Sequence, residues 1–251
     1  MRQNPFINFI RKECPHYVGR DNNRLTSAAG QASRYYDYLS LILKRYAIAD
    51  KALRNERQRI EALSDAKLNG FPKSELDRSA QLQCKLLLEI ESFYVFAKTL
   101  LDKAAQLVHL YFGTARRCSL DSHHKFLKDY KIYIKARNLS DSQSLVEMMT
   151  KLQYDIVNFR DKKLIHQNNP GIFIGMAFPK KRGAYISAGH YYPVPSDKPY
   201  QSHSLDSLIE DIDKYISCLL SWMTSNRGHV VLKKNRQAVQ RSEFGYPIFS
   251  T

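Results

Sequence analysis

From Thr26 onward the apolar positions Ala28, Ala32, Tyr35, Leu39, Ile42, Tyr46, Ala49, Leu53 and Ile60 follow one another in the steps of three and four that mark an amphipathic helix. The pattern predicts one helix running to about Ser64. At about 1.5 Å per residue such a helix approaches ~60 Å, more than a compact domain requires, so it is expected to project or to break. The stretch NGFPKSELD then supplies Gly70, Pro72 and a Ser74 to Asp77 capping pattern, a stop followed by a start. A second helix is predicted from about Ser74 to Phe112. Leu86, Ile90, Phe93, Ala97, Leu100, Ala104, Leu107 and Tyr111 form its main stripe, and Leu87, Leu88, Val95, Phe96 and Leu101 fill its other faces. A helix apolar on nearly every side is expected at the centre of a bundle.

Beyond Gly113, residues 114 to 138 carry seven Lys or Arg against two Asp, and Phe126, Tyr130, Tyr133 and Ile134 predict a shorter helix within them. The helical period restarts near Ser140 or Asp141 and continues through Leu145, Met149, Leu152, Ile156 and Phe159. After Pro170 it changes. The stretch GIFIGMAFPKKRGAYISAGHYYPVP reads as a small β-hairpin near 172–192, turning on Pro179 to Gly183. Leu205, Leu208, Ile212, Ile216, Leu219 and Met223 predict a last helix, followed by a polar, basic tail. The fold class is therefore mainly α, a helical bundle of about four to five helices with one hairpin insertion. Its expected organisation is an N-terminal extension over 1–25, the helical domain over 26–225 and the tail over 226–251.

Composition narrows the function. The chain has 251 residues, 43% of them hydrophobic, enough for a real core, and a formal charge of +15. Such an excess of Lys and Arg favours a polyanionic partner, nucleic acid first and a membrane surface second, because neutralised phosphates release counterions. No run approaches the roughly 18 apolar residues of a spanning helix, and the N-terminus is a poor signal peptide, so no membrane role and a cytoplasmic location are expected. Cys14, Cys84, Cys118 and Cys218 are far apart with no CxxC pair, which predicts free thiols and no zinc site.

The stretch NFRDKKLIHQNNP closes the predicted helix that starts near Ser140. It places Arg160 directly before Asp161 and six positions before His166, where Asn168, Asn169 and Pro170 end the helix. Spacing alone is common in so basic a chain: Arg11 with His16 and Arg116 with His123 fall within the same window. Only at Arg160 does an acid follow the arginine inside a strongly periodic helix. The residue types suit one reaction. Cleaving RNA without a metal calls for a base near neutral pKa for the ribose 2′-hydroxyl, an acid for the leaving oxygen, and a fixed cation for the developing phosphorane charge. Histidine and arginine supply these roles, with Asp161 orienting one of them. The competing reading is a solvated helix end, with cations placed favourably at the negative pole of the dipole.

Arg160, Asp161 and His166, at the end of a bundle helix, resemble the signature of the HEPN superfamily. That resemblance implies a metal-independent endoribonuclease working as a homodimer without cofactors, as in toxin and antiviral systems, with an antitoxin or other regulatory protein as possible partner. The alternative within the family is a non-catalytic module that binds RNA or protein. On an undistorted helix Arg160 and His166 stand about 120° apart around the axis and about 9 Å apart along it, so one phosphate reaches both only if the helix unwinds or two copies pool their motifs. Pooling is the expected solution. Glu91, Lys98 and Asp102 share one stripe of the central helix and are expected to pair, with Glu91 or Asp102 as candidate supports for Arg160. Lys162, Lys163, Lys180, Lys181 and Arg182, together with the basic segment from Arg116 to Arg137, are the candidate RNA-tracking residues, and Tyr185, Tyr191 and Tyr192 the candidate stacking ones.

Overall fold

A computed structural model describes residues 3–66, 73–158, 160 and 205–235. It is mainly helical. In chain order the helices are α1 (Pro5–Lys12), α2 (Arg20–Ala66), α3 (Lys73–Phe112), α4 (His123–Arg137), α5 (Gln143–Leu152) and α6 (Leu205–Ser225). Short 3₁₀ turns cover Cys14–His16 and Arg227–His229, and two-residue strands lie at Tyr17–Val18 (β1) and Lys233–Lys234 (β2). The chain divides into two compact units. One comprises Met1–Asp37, Ala97–Gln153 and Ile212–Thr251, the other Tyr38–Phe96 and Tyr154–Asp211.

In the first unit the start of α2 buries Leu25, Ala29, Ala32 and Tyr36. The second half of α3 is buried around most of its circumference, with Leu100, Leu101, Ala104, Ala105, Leu107 and Val108 all at 0% exposure, as its sequence predicts for a central helix. Short polar side chains set the helix boundaries. Asn4, Ser122 and Ser142 each accept a backbone N–H at the start of α1, α4 and α5, and Asn138 ends α4 in the left-handed region at φ 55°. Trp222 of α6 packs edge-on against Phe112, with ring centroids 5.5 Å apart, and its indole N–H donates to the Ser140 carbonyl at 2.9 Å. The α4–α5 connection is thereby tied to α6. In the second unit Leu39, Ile42, Tyr46 and Leu53 of α2 and Leu86, Ile90, Phe93 and Tyr94 of α3 are buried. The two helices are bridged by Arg45 to Glu89 at 2.6 Å and Arg78 to Glu56 at 3.4 Å.

Two parts of the chain differ from the sequence reading. Within the N-terminal stretch α1 buries Phe6 and Phe9, and α2 begins at Arg20 rather than Thr26. The polar residues Arg20 to Arg24 carry no apolar stripe, so periodicity starts counting a turn late. In the segment after α6, Leu232 is 5% exposed and β2 pairs antiparallel with β1, Tyr17 opposite Lys234 and Val18 opposite Lys233. Strands of two residues show no alternation to read. The hairpin expected near 172–192 lies outside the described residues.

Candidate functional site

The motif helix begins at Ser142, whose hydroxyl caps α5. Its predicted stripe is the buried one: Leu145, Met149, Leu152 and Ile156 are at most 1% exposed. The regular helix ends at Leu152, and the chain widens into a π-helix over Gln153–Asn158. Hydrogen bonds running i to i+5 are rare, cost more than the α pattern and are found frequently at functional sites. Just beyond this turn Arg160 is half-buried, with its Nε shielded from solvent. Asp161, Lys162, Lys163, His166, Lys180, Lys181 and Arg182 lie outside the described residues, as do Tyr185, Tyr191 and Tyr192.

The candidate supports are found in two different settings. Glu91 is exposed on α3 within the second unit. Asp102 is in the first, where one carboxylate oxygen pairs with Lys98 and the other accepts the backbone N–H of His123 at 3.0 Å. Ion pairing is therefore the role Asp102 displays, and it also caps the first turn of α4. The contiguous stripe of three charges reduces to one pair and one solvated glutamate.

Two polar clusters escaped the sequence reading. Glu13, 1% exposed, accepts from the hydroxyls of Tyr17, at 2.8 Å, and Tyr111, while Arg227 donates to both carboxylate oxygens, its Nε at 3.0 Å. Burial pushes the Glu13 carboxyl up, but the hydrogen bonds from Arg227, Tyr111 and Tyr17 outweigh it and hold the group below the usual carboxylate range. The same burial drives the Tyr17 and Tyr111 phenols well above theirs. Only the four-residue step from Glu13 to Tyr17 is visible along the chain; Arg227 is 214 positions away.

The second cluster surrounds His123, which is fully buried, with Nε2 3.0 Å from the Met149 carbonyl and its ring edge-on to Tyr215 at 5.4 Å. Desolvation lowers its pKa to about 4. His124, the next residue, is exposed. All four cysteines are free thiols, as expected.

The comparisons returned no family model, no curated protein and no solved structure that matches the chain. The functional reading therefore rests on the chain's own residues. Among the described ones these are Arg160 at the π-helical end of α5 and the exposed cations of the first unit.

Proposed function

We propose that the chain is a metal-independent endoribonuclease of HEPN type, acting as a homodimer on RNA in the cytoplasm, as toxins and antiviral effectors of that kind do. The observation that carries the reading is the placement of Arg160. It stands two residues past the π-helical stretch Gln153–Asn158, at the end of a capped, well-buried bundle helix, with its guanidinium partly withdrawn from water. A cation held in that way has its charge less screened and its geometry more fixed than one on a solvated helix end.

In the proposed reaction His166 takes the proton of a ribose 2′-hydroxyl, and the 2′-oxygen attacks the adjacent phosphorus. The P–O5′ bond breaks, and the leaving 5′-oxygen takes up the proton that His166 now carries, giving a 2′,3′-cyclic phosphate and a 5′-hydroxyl end. Arg160 stabilises the charge that builds on the non-bridging oxygens, and Asp161 orients one of the two. An antitoxin or regulatory protein is the expected counterpart of such an activity. The second reading, a non-catalytic module that binds RNA or protein, draws on the basic exposed face of α4, where His124, Lys128, Lys131 and Lys135 share one side.

The test is cleavage of a mixed RNA by the purified full chain, with and without excess EDTA. Expected is EDTA-resistant cleavage that falls roughly 10²- to 10³-fold in Arg160→Ala and by a comparable factor in His166→Ala. Cleavage that survives both substitutions sinks the mechanism. RNA binding with no cleavage by the wild-type chain establishes the second reading.

A further inference from the structure

A cleft of about 530 Å³ opens in the first unit between the opening turns of α2 and the last turns of α3. Its volume falls in the range of small-ligand sites. One wall is a single face of α2, on which Arg20, Arg24, Ser27 and Gln31 recur in steps of four, three and four. The facing wall holds His109 and Leu110 of α3, and Leu120 and Asp121 close the end.

The charges are not cancelled in place. Arg20 has no ion-pair partner among the described residues. Arg24 approaches Asp21 only at 3.8 Å, and with both side chains at least 65% exposed that pair holds the guanidinium weakly. The acid at the far end is already engaged, since Asp121 accepts from Lys125 at 3.2 Å and from Ser119. Gln106 is fixed as wall, donating to the Asp121 carbonyl at 3.1 Å and accepting from Lys103 at 3.2 Å. The amides of Asn23 and Gln31 have no partner among the described residues, and Ala28 and Leu110 add apolar surface beside them.

Two guanidinium groups one helical turn apart match the forked geometry of a phosphate, and they flank the first turn of α2, whose backbone N–H groups favour an anion at the same end. An apolar slot next to free amides suits a flat heterocycle whose edge carries donors and acceptors. We infer that this cleft binds a nucleotide unit, its phosphate on Arg20 and Arg24 and its base between Leu110 and the amides of Asn23 and Gln31. The cleft shares no residue with the Arg160 motif, and the inference does not rest on the ribonuclease reading.

The test titrates the full chain with a fluorescent 2′-O-methylated oligoribonucleotide, which lacks the 2′-hydroxyl that cleavage would use, so the result is independent of any nuclease activity. Free AMP serves as competitor. Arg20→Gln with Arg24→Gln is expected to weaken oligonucleotide binding about tenfold or more, and Ser27→Trp, which fills the cleft without removing charge, to weaken it similarly. Lys44→Gln with Lys51→Gln, which removes the same two charges from exposed positions of α2 in the second unit, should change it less than about twofold. Displacement by AMP identifies a free nucleotide as sufficient, and binding that only the oligonucleotide shows assigns the cleft to RNA. Equal weakening by the two charge pairs, full binding by Ser27→Trp, or no binding of either probe by the wild type overturns the inference.

Discussion

At the first position of α4, the hydrogen bond from His123 Nε2 to the Met149 carbonyl requires the proton on Nε2. Nδ1 is then a buried acceptor without a partner among the described residues. Protonating it would place a charge in the core beside the Tyr215 ring, with Asp102 already held by Lys98 and by the α4 backbone. Desolvation dominates, and the folded-state pKa falls to about 4 from the ordinary 6.5. The unfolded chain therefore binds this proton more readily than the folded one. The stability that neutral His123 allows is fully present above about pH 6.5 and is lost as the pH falls toward 4, by an amount on the order of 3 kcal/mol. Urea denaturation at pH 7.5 and pH 5 should show about 2 kcal/mol of this loss in the wild-type chain and a smaller one in His123→Gln, whose amide can still donate to Met149. An equal loss in both would place the acid sensitivity elsewhere.

At the scale of elements, Glu13 joins three pieces of chain that no local pattern connects: the turn after α1, the end of α3 through Tyr111 and the 3₁₀ turn after α6 through Arg227. Replacing it with alanine leaves the buried Tyr17 and Tyr111 hydroxyls with only each other as partner, at 3.0 Å, and Arg227, half exposed, turns to solvent. The expected cost is roughly 2–3 kcal/mol in global stability. In hydrogen exchange α1 and residues 227–235 should lose protection together while α4 and α5 keep theirs. Loss confined to one terminal segment would show that the carboxylate does not couple them. The helices themselves were legible because their apolar faces repeat over many turns: α3, the last helix and the stripe from Leu145 to Ile156 fall where the sequence puts them. The π-helical turn was not legible, because a change from i+4 to i+5 bonding leaves no mark in residue type.

For the whole molecule, a net charge of +15 makes attraction to polyanions a property of the chain rather than of one site. Assembly belongs to the same scale. If Arg160 of one copy serves with His166 of a second, the chain should sediment at twice its 29.2 kDa. Mixing Arg160→Ala with His166→Ala chains should then restore part of the cleavage that each has lost. A monomeric mass, or a mixture as inactive as its components, would require both roles to be filled within one chain.

The sequence by itself determined the class of fold, the order and phase of the long helices and the chemistry on offer at Arg160, because each depends on residues a few positions apart. The tertiary structure alone decided that Phe6, Phe9 and Tyr17 belong to the packed core, that Asp102 serves α4, that His123 is held neutral and that Arg20 and Arg24 line a cleft. Those outcomes rest on partners from 21 to 214 positions away. Burial and pairing at such distances are set by packing, which a one-dimensional pattern does not carry.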